Sequence, residues 1–282
     1  MEKITDPLLR PMHMLDLSAG LALSRQLNWP HRAEDWALMH RACEAFVLEQ
    51  ADTVLGTTFT CLQGEYATVG LVIVAPGQQG NGLGRRLMGC SIEVADGRNV
   101  LLNATPAGVP LYENLGFVRY GLINQHQGIL ARAPEQPALD DASLRRATPD
   151  DLPRLLALAR SASGYDRTKV ITESLAVSTR TLVIAQGERV LGFAATRQFG
   201  KGYTIGPVFA QSMDHAWSLI VALMQPLAGT FVRIDCADQT GLSERLPAWG
   251  LLKVDSVEQM VRGKPPCPVE GQQYTLVNQA LN

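Results

Sequence analysis

Disulfide and metal frameworks are missing from this chain of 282 residues. Its five cysteines (Cys43, Cys61, Cys90, Cys236 and Cys267) are scattered, with no CxxC pair and no ligand spacing. That excludes a cysteine-stapled scaffold and a zinc ribbon, and no metal site is expected. Scattered thiols fit a reducing compartment. Long apolar runs are missing as well: nothing approaches the ~20 residues that cross a bilayer, and residues 1–20 lack the apolar centre of a signal peptide. The expectation is a cytoplasmic protein without a membrane partner. Excess charge of one sign is also absent. The net charge is −2, with 10 basic against 13 acidic side chains in residues 1–137 and 15 against 14 in the rest. With no basic face to displace counterions from a phosphate backbone, a nucleic-acid partner is excluded.

What is present is a well-cored composition, 46% hydrophobic and 18% charged. The length allows one large domain or two medium ones. The most informative stretch is Leu71–Arg86, LVIVAPGQQGNGLGRR. A β-branched apolar run ends at Ala75-Pro76, and a loop with Gly80, Gly82 and Gly84 leads into Arg85-Arg86-Leu87-Met88. A strand, a glycine turn and a helix start together grip phosphates: glycine lets backbone N–H groups approach an anion, and the helix N-terminus adds unpaired donors. A P-loop would need Gly-Lys-Ser/Thr, and Gly84 is followed by two arginines. A dinucleotide fingerprint needs GxGxxG and an acid about 20 residues on; this loop is GxGxG, and Val100–Ala104 has no acid. The remaining pattern is Gln/Arg-x-x-Gly-x-Gly/Ala, met by Gln79, Gly82 and Gly84.

Downstream, Leu83, Leu87, Met88, Ile92 and Ala95 share one helical face, Asp96-Gly97 stops that helix, and Val100–Ala104 reads as a buried strand. Pro110-Leu111-Tyr112 then leads to Gly116-Phe117, a helix ended by a left-handed cap and a returning strand. Together the two signatures resemble the GCN5-related N-acetyltransferases. The resemblance implies a mixed, mostly antiparallel α/β (α+β) sheet flanked by helices, with acetyl-CoA as donor and a primary amine of a small molecule as acceptor. It implies that the backbone of Gln79, Gly80, Asn81, Gly82, Leu83, Gly84 and Arg85 holds the pyrophosphate. Val72, Ile73 and Val74 would line the pantetheine arm and polarise the thioester, with Asn103 also on the cofactor. The amine would attack the thioester directly, and Tyr112 by its position looks like the acid for the leaving thiolate. A packed aromatic that only orients the cofactor is the other reading of Tyr112. The base stays open among Glu65, Tyr66, His126 and a water chain.

The order of elements repeats, which predicts two tandem domains of this kind: residues 1–132, a linker 133–142, a second domain 143–263 and a tail 264–282 with a final strand or short helix near Thr275–Leu281. The second copy has Ile205-Gly206-Pro207-Val208-Phe209-Ala210-Gln211-Ser212 in place of the glycine loop, and a predicted helix Thr240–Trp249 without the tyrosine. It is therefore expected not to bind the cofactor. Two stretches are candidates for the acceptor site. Trp29, His31 and Asp35 lie between the first two helices, and Tyr165, Asp166 and Arg167 at the matching place in the second copy. Asp166 would bind an ammonium and Arg167 a carboxylate; a capped loop and a structural Asp–Arg pair are the plainer readings. Rival functions are transfer of another acyl group and a CoA-binding sensor without turnover. Either a monomer or a homodimer is compatible with the sequence.

Overall fold

A computed structural model describes residues 6–139 and 141–282. Residues 1–5 of the expected first domain and Asp140 of the expected linker lie outside the described residues. The first half runs β1 (Leu8–Pro11), α1 (Leu17–Gln26), α2 (Ala33–Ala42), β2 (Glu44–Gln50), β3 (Thr53–Gln63), β4 (Tyr66–Val74), α3 (Leu83–Ala95), β5 (Asn99–Ala104), α4 (Val109–Glu113) and β6 (Val118–Ile129). The second repeats it: β7 (Ser143–Arg146), α5 (Leu152–Ser163), α6 (Thr168–Ala176), β8 (Arg180–Gln186), β9 (Arg189–Phe199), β10 (Gly202–Ala210), α7 (Met213–Met224), β11 (Phe231–Ala237) and β12 (Leu252–Arg262), followed by β13 (Gln272–Thr275).

Local chemistry explains most boundaries. Ahead of α5, the Asp151 carboxylate accepts from the Thr148 amide at 2.7 Å, closing a capping box over a turn that Pro149 begins. Leu83, Leu87, Met88, Ser91 and Ala95 form the buried stripe of α3. One expectation fails. Thr240–Trp249 is not a helix but part of three 3₁₀ turns, Asp238–Thr240, Leu242–Glu244 and Pro247–Trp249. Gly241 interrupts the run in the left-handed region, and Pro247 lacks the donor that would continue it.

All thirteen strands form one sheet, in the order β1-β2-β3-β4-β5-β12-β6-β11-β13-β10-β9-β8-β7. The two halves have exchanged their last strands. β12, from the second half, lies between β5 and β6 of the first, with Gln259 opposite Asn103 and Val257 opposite Ile123. β6 in turn pairs with β11, Gln125 opposite Asp235. The halves therefore meet through continuous hydrogen-bonded ladders. Residues of the expected linker are also packed: Ala133 and Leu139 join the core of the second half, and the Gln136 side chain donates to the Ser218 carbonyl at 3.1 Å.

Alternation along the strands separates the two faces. Leu71 and Ile73 of β4 and Val183 and Ala185 of β8 point into a core built from α1, α2, α5 and α6 together. Val72 and Val74 point the other way, with residues of α3, as Leu182 and Ile184 do with residues of α7. Trp36, Phe59, Ile171 and Phe193 meet in the shared core, so neither half buries its own face alone. Among the described residues no helix is long and apolar enough to cross a membrane.

Candidate active site

At the end of β4 the chain turns through Pro76–Gln78 and then runs as a loop to α3. Gly80 and Gly82 both have positive φ, +83° and +76°, which a side chain would strain. The Gln78 amide donates to the Ala75 carbonyl at 2.8 Å, and the Arg86 amide makes the first helical bond, to Gly82, at 3.2 Å. Between them, no amide from Gln79 to Arg85 has a partner among the described residues. A run of unpartnered donors at a helix N-terminus is what a diphosphate requires. Gln79 ties the loop to the strand, its side chain donating to the Val74 carbonyl at 3.2 Å. Asn81 and Arg85 are exposed, and Arg85 makes no ion pair among the described residues.

β4 and β5 are parallel neighbours only from Tyr66–Asn99 to Val69–Leu102; beyond that they part. At the point of parting β4 is bulged against β3: Gly70 faces Phe59 and Ile73 faces Thr57, so Leu71 and Val72 share Thr58. Leu71 takes φ +48°, and its carbonyl accepts from the Thr57 hydroxyl at 2.8 Å. A bulge of this kind lifts main-chain groups out of the ladder. Val72, Ile73 and Val74 therefore border the wedge where the two strands part, on the stretch of β4 that leads to the amide loop. Asn103 stands on the far lip, donating to the Gln279 carbonyl at 2.8 Å and to Asn282 Oδ1 at 3.1 Å, while its own Oδ1 is buried without a partner.

Tyr112 comes from α4. Its ring meets Phe117 edge-on, centroids 6.0 Å apart, and its hydroxyl has no partner among the described residues. Burial pushes its pKa up to about 12, so the phenol stays protonated at neutral pH. Of the expected bases, Glu65 is exposed in the β3–β4 turn and Tyr66 begins β4, at the opposite end from the bulge. Tyr66 donates to the Pro265 carbonyl at 3.3 Å. His126 is buried on the other side of β6, with Nδ1 3.0 Å from the Leu251 carbonyl and Nε2 2.6 Å from the Ser243 hydroxyl. Burial holds its pKa below the usual histidine value.

The expected acceptor residues are placed at the junction of the halves. Asp35 accepts from the Arg32 amide at 2.9 Å, capping α2, and forms a buried ion pair with Arg197 of β9. His31 packs between Trp29 and Phe199, ring centroids 6.0 and 5.8 Å away. Burial, then Arg233 and Arg197, push its pKa down to about 3. Asp166 accepts from the Thr168 amide at 2.7 Å and starts α6. Arg167 is fully buried and bonds the Tyr165 hydroxyl, Gln273 Oε1 and the Leu281 and Asn282 carbonyls at 2.7–3.2 Å. It is an inward-facing strap whose fork is taken up by these acceptors, and it makes no ion pair with Asp166 among the described residues.

The matching wedge in the second half is built differently. β10 is bulged between Ile205 and Val208, at the position of the β4 bulge. Yet α7 begins three residues after β10, with Ser212 accepting from the His215 amide at 3.2 Å in place of any loop. The wedge between β10 and β11 is filled by β13, Val208 facing Thr275 on one side and Cys236 facing it on the other. A Cβ at Gly206 would lie 2.0 Å from the Leu276 carbonyl, so the end of β13 and the residue after it are seated directly on bare backbone.

Comparison with known proteins agrees with this architecture. Two profiles, each described as an acetyltransferase (GNAT) domain, match residues 30–132 and 155–275, which together make up most of the chain. "Uncharacterized N-acetyltransferase YitH" of Bacillus subtilis (strain 168) is 29% identical over 99% of both chains. "Holothin acyltransferase" of Pseudoalteromonas sp. (strain SANK 73390) is 28% identical over 72% of this chain and 68% of its own. Among solved structures, one from Pyrococcus horikoshii has TM-score 0.77 at 17% identity, covering 99% of this chain and 98% of that one. A tandem GNAT protein from the clavulanic acid biosynthesis pathway has 0.64 at 16%, covering 92% and 99%. The chain belongs to the GNAT acetyltransferase family, as an acyltransferase with two GNAT domains in tandem.

Proposed function

We propose that this protein is an acetyl-CoA-dependent N-acetyltransferase whose first half carries the whole cofactor site and acts on a primary amine of a small molecule. The observation that carries the reading is the unpartnered amide run Gln79–Arg85 opening onto the bulged strand at Leu71–Val72. It is paired with a second half that has neither the loop nor an open wedge. Acetyl-CoA held there supplies an activated acyl thioester. The loop amides bind the diphosphate, with Arg85 free to meet a phosphate. The main chain at Val72 orients the acyl carbonyl, where preorganised N–H groups stabilise developing negative charge. Tyr112 Oη keeps its proton at neutral pH and is the group that donates to the departing thiolate, whose conjugate thiol has a pKa of about 8.5 in solution.

A broader acyl preference has one specific support, the relative named as holothin acyltransferase. Both readings are tested by calorimetric titration with acetyl-CoA and then by CoA release with panels of amines and acyl-CoAs. One cofactor bound per chain, with amine-dependent CoA release, is expected. Tight binding without turnover on any amine would mean a cofactor sensor, and no binding at all would refute both.

A further inference from the structure

Past β13 the chain leaves the second half and crosses to the first. Asn278 Oδ1 accepts from the amides of Ala280 and Leu281 at 2.9 and 2.8 Å, folding residues 278–282 into a tight turn. Arg167 holds the Leu281 and Asn282 carbonyls, and Asn103 of β5 holds the Gln279 carbonyl. Val277 and Leu281 are anchored in the core shared by both halves. From Tyr274 to Asn282 every residue is buried except two, Gln279 and Ala280.

Those two face the wedge. A Cβ at Gly70 would fall 2.5 Å from the Ala280 carbonyl and 2.6 Å from its methyl, so Ala280 rests on the backbone immediately before the β4 bulge. It does so on the face away from α3, across the sheet from the amide loop. Gln279 donates to Gln125 Oε1 at 3.3 Å and to Asp235 Oδ1 at 3.2 Å, and Asp235 is paired with Arg233 at 3.0 Å. The residues gathered here come from β5, β6, β11 and this segment, so both halves contribute. Gln279 uses its side-chain N–H groups on these partners, and its Oε1 receives no hydrogen bond among the described residues. It is the acceptor this segment leaves open, because Asn103 Oδ1 is shut away from solvent and the Asp235 carboxylate is balanced by Arg233.

We propose that Gln279 and Ala280 form the wall of the acceptor pocket opposite the Val72 strand. There they select a small primary amine whose neighbouring groups are hydrogen-bond donors, a hydroxyl or a second amine, in preference to one bearing a carboxylate. This rests on the acyltransferase reading of the first half. The turn is a fixed wall and not a displaceable lid, because its flanks are core residues and its carbonyls are strapped by Arg167. Ala280 sets the depth of the pocket beside the thioester, and Gln279 sets its polarity. A purely alkyl amine would take water from Gln279 Oε1 without replacing its hydrogen bond, whereas a donor on the ligand replaces it.

The test uses the full chain with matched amines: an amino alcohol, a diamine, a plain alkyl amine of equal length and an amino acid. Wild type is expected to favour the first two. Ala280→Leu should lower kcat/KM for all amines by about tenfold or more while leaving the acetyl-CoA dissociation constant within about twofold. Ala280→Gly, which adds nothing to the core, should move the preference toward larger amines. Gln279→Leu should erase most of the advantage of the amino alcohol over the alkyl amine, about tenfold. If the variants keep the wild-type ranking and KM values, the wall assignment is wrong. If wild type binds acetyl-CoA but acylates no donor-bearing amine, the acceptor class proposed here is wrong. Failure to bind acetyl-CoA would instead overturn the acyltransferase reading beneath it.

Discussion

Replacing Asp35 by asparagine removes one charge from an ion pair buried between the halves. Asp35 and Arg197 each have about 3% of their side chain exposed, and they come from α2 and β9, 162 positions apart in sequence. Burial pushes the Asp35 carboxyl up and the Arg197 guanidinium down from their ordinary pKa values, and each is opposed by the charge of the other. Asparagine keeps an oxygen for the Arg32 amide, so the cap of α2 survives and the loss is electrostatic. An uncompensated buried guanidinium costs about 3–5 kcal/mol, which for a chain of this size lowers Tm by roughly 5–8 °C. Arg197→Met should cost somewhat less, because the stranded carboxyl can take up a proton. The double variant Asp35→Asn/Arg197→Met should return to within about 2 kcal/mol of wild type. Urea unfolding of the four proteins, read as one transition because the sheet is continuous, gives the cycle. An Asp35→Asn cost below about 1 kcal/mol, or a double variant as unstable as the sum of the singles, would refute the reasoning. The same proteins separate two roles for Asp35. If it only joins the halves, the double variant recovers turnover with stability; if it contacts the acceptor, stability returns and activity does not.

Tyr112→Phe should keep the fold and the acetyl-CoA affinity and reduce kcat by roughly 10²–10⁴ if the hydroxyl is the acid; unchanged turnover removes it from the mechanism. Because burial holds Tyr112 near 12, the rate should show no falling limb from this group below about pH 10. Gly82→Ala forces a side chain into φ +76° and should weaken acetyl-CoA binding about tenfold through the misplaced amides, measurable by calorimetry. His31 has its folded pKa depressed to about 3, so it contributes stability above about pH 6.5 that is lost as pH falls toward 3. The unfolded chain takes up a proton that the folded one refuses. That loss is up to about 1.4 kcal/mol per pH unit. Urea midpoints at pH 7 and 5 should fall further for wild type than for His31→Gln, and equal falls would show that other groups carry the acid sensitivity.

Much of the candidate site was legible because it is local. The amide loop is a single stretch of chain whose glycines, helix start and preceding strand all lie within Leu71–Arg86, and Tyr112 belongs to a signature only a few residues long. The second half also showed its missing loop in sequence, since Ile205–Ser212 has no tandem of glycines where the first half has Gly80, Gly82 and Gly84. The acceptor side was not legible in the same way. Asp166, Arg167 and Asp35 were visible as charged residues in promising loops. Their partners, Thr168, the Leu281 and Asn282 carbonyls and Arg197, are decided by packing. Gln279, Ala280 and Asp235 sit on unremarkable stretches with no motif to mark them, and only their spacing from Gly70 and Asn103 in space gives them meaning.

By itself the sequence determined the two repeated sets of elements, the glycine loop in the first set and its absence from the second, because hydrophobic period, glycine placement and cap chemistry act over a few residues. Only the tertiary structure decided that β6 and β12 change places and that residues 272–282 fill one wedge and wall the other. A strand pairs equally well with any free edge of the right register. Which edge it meets depends on the path of the whole chain and on the core that both halves must bury together.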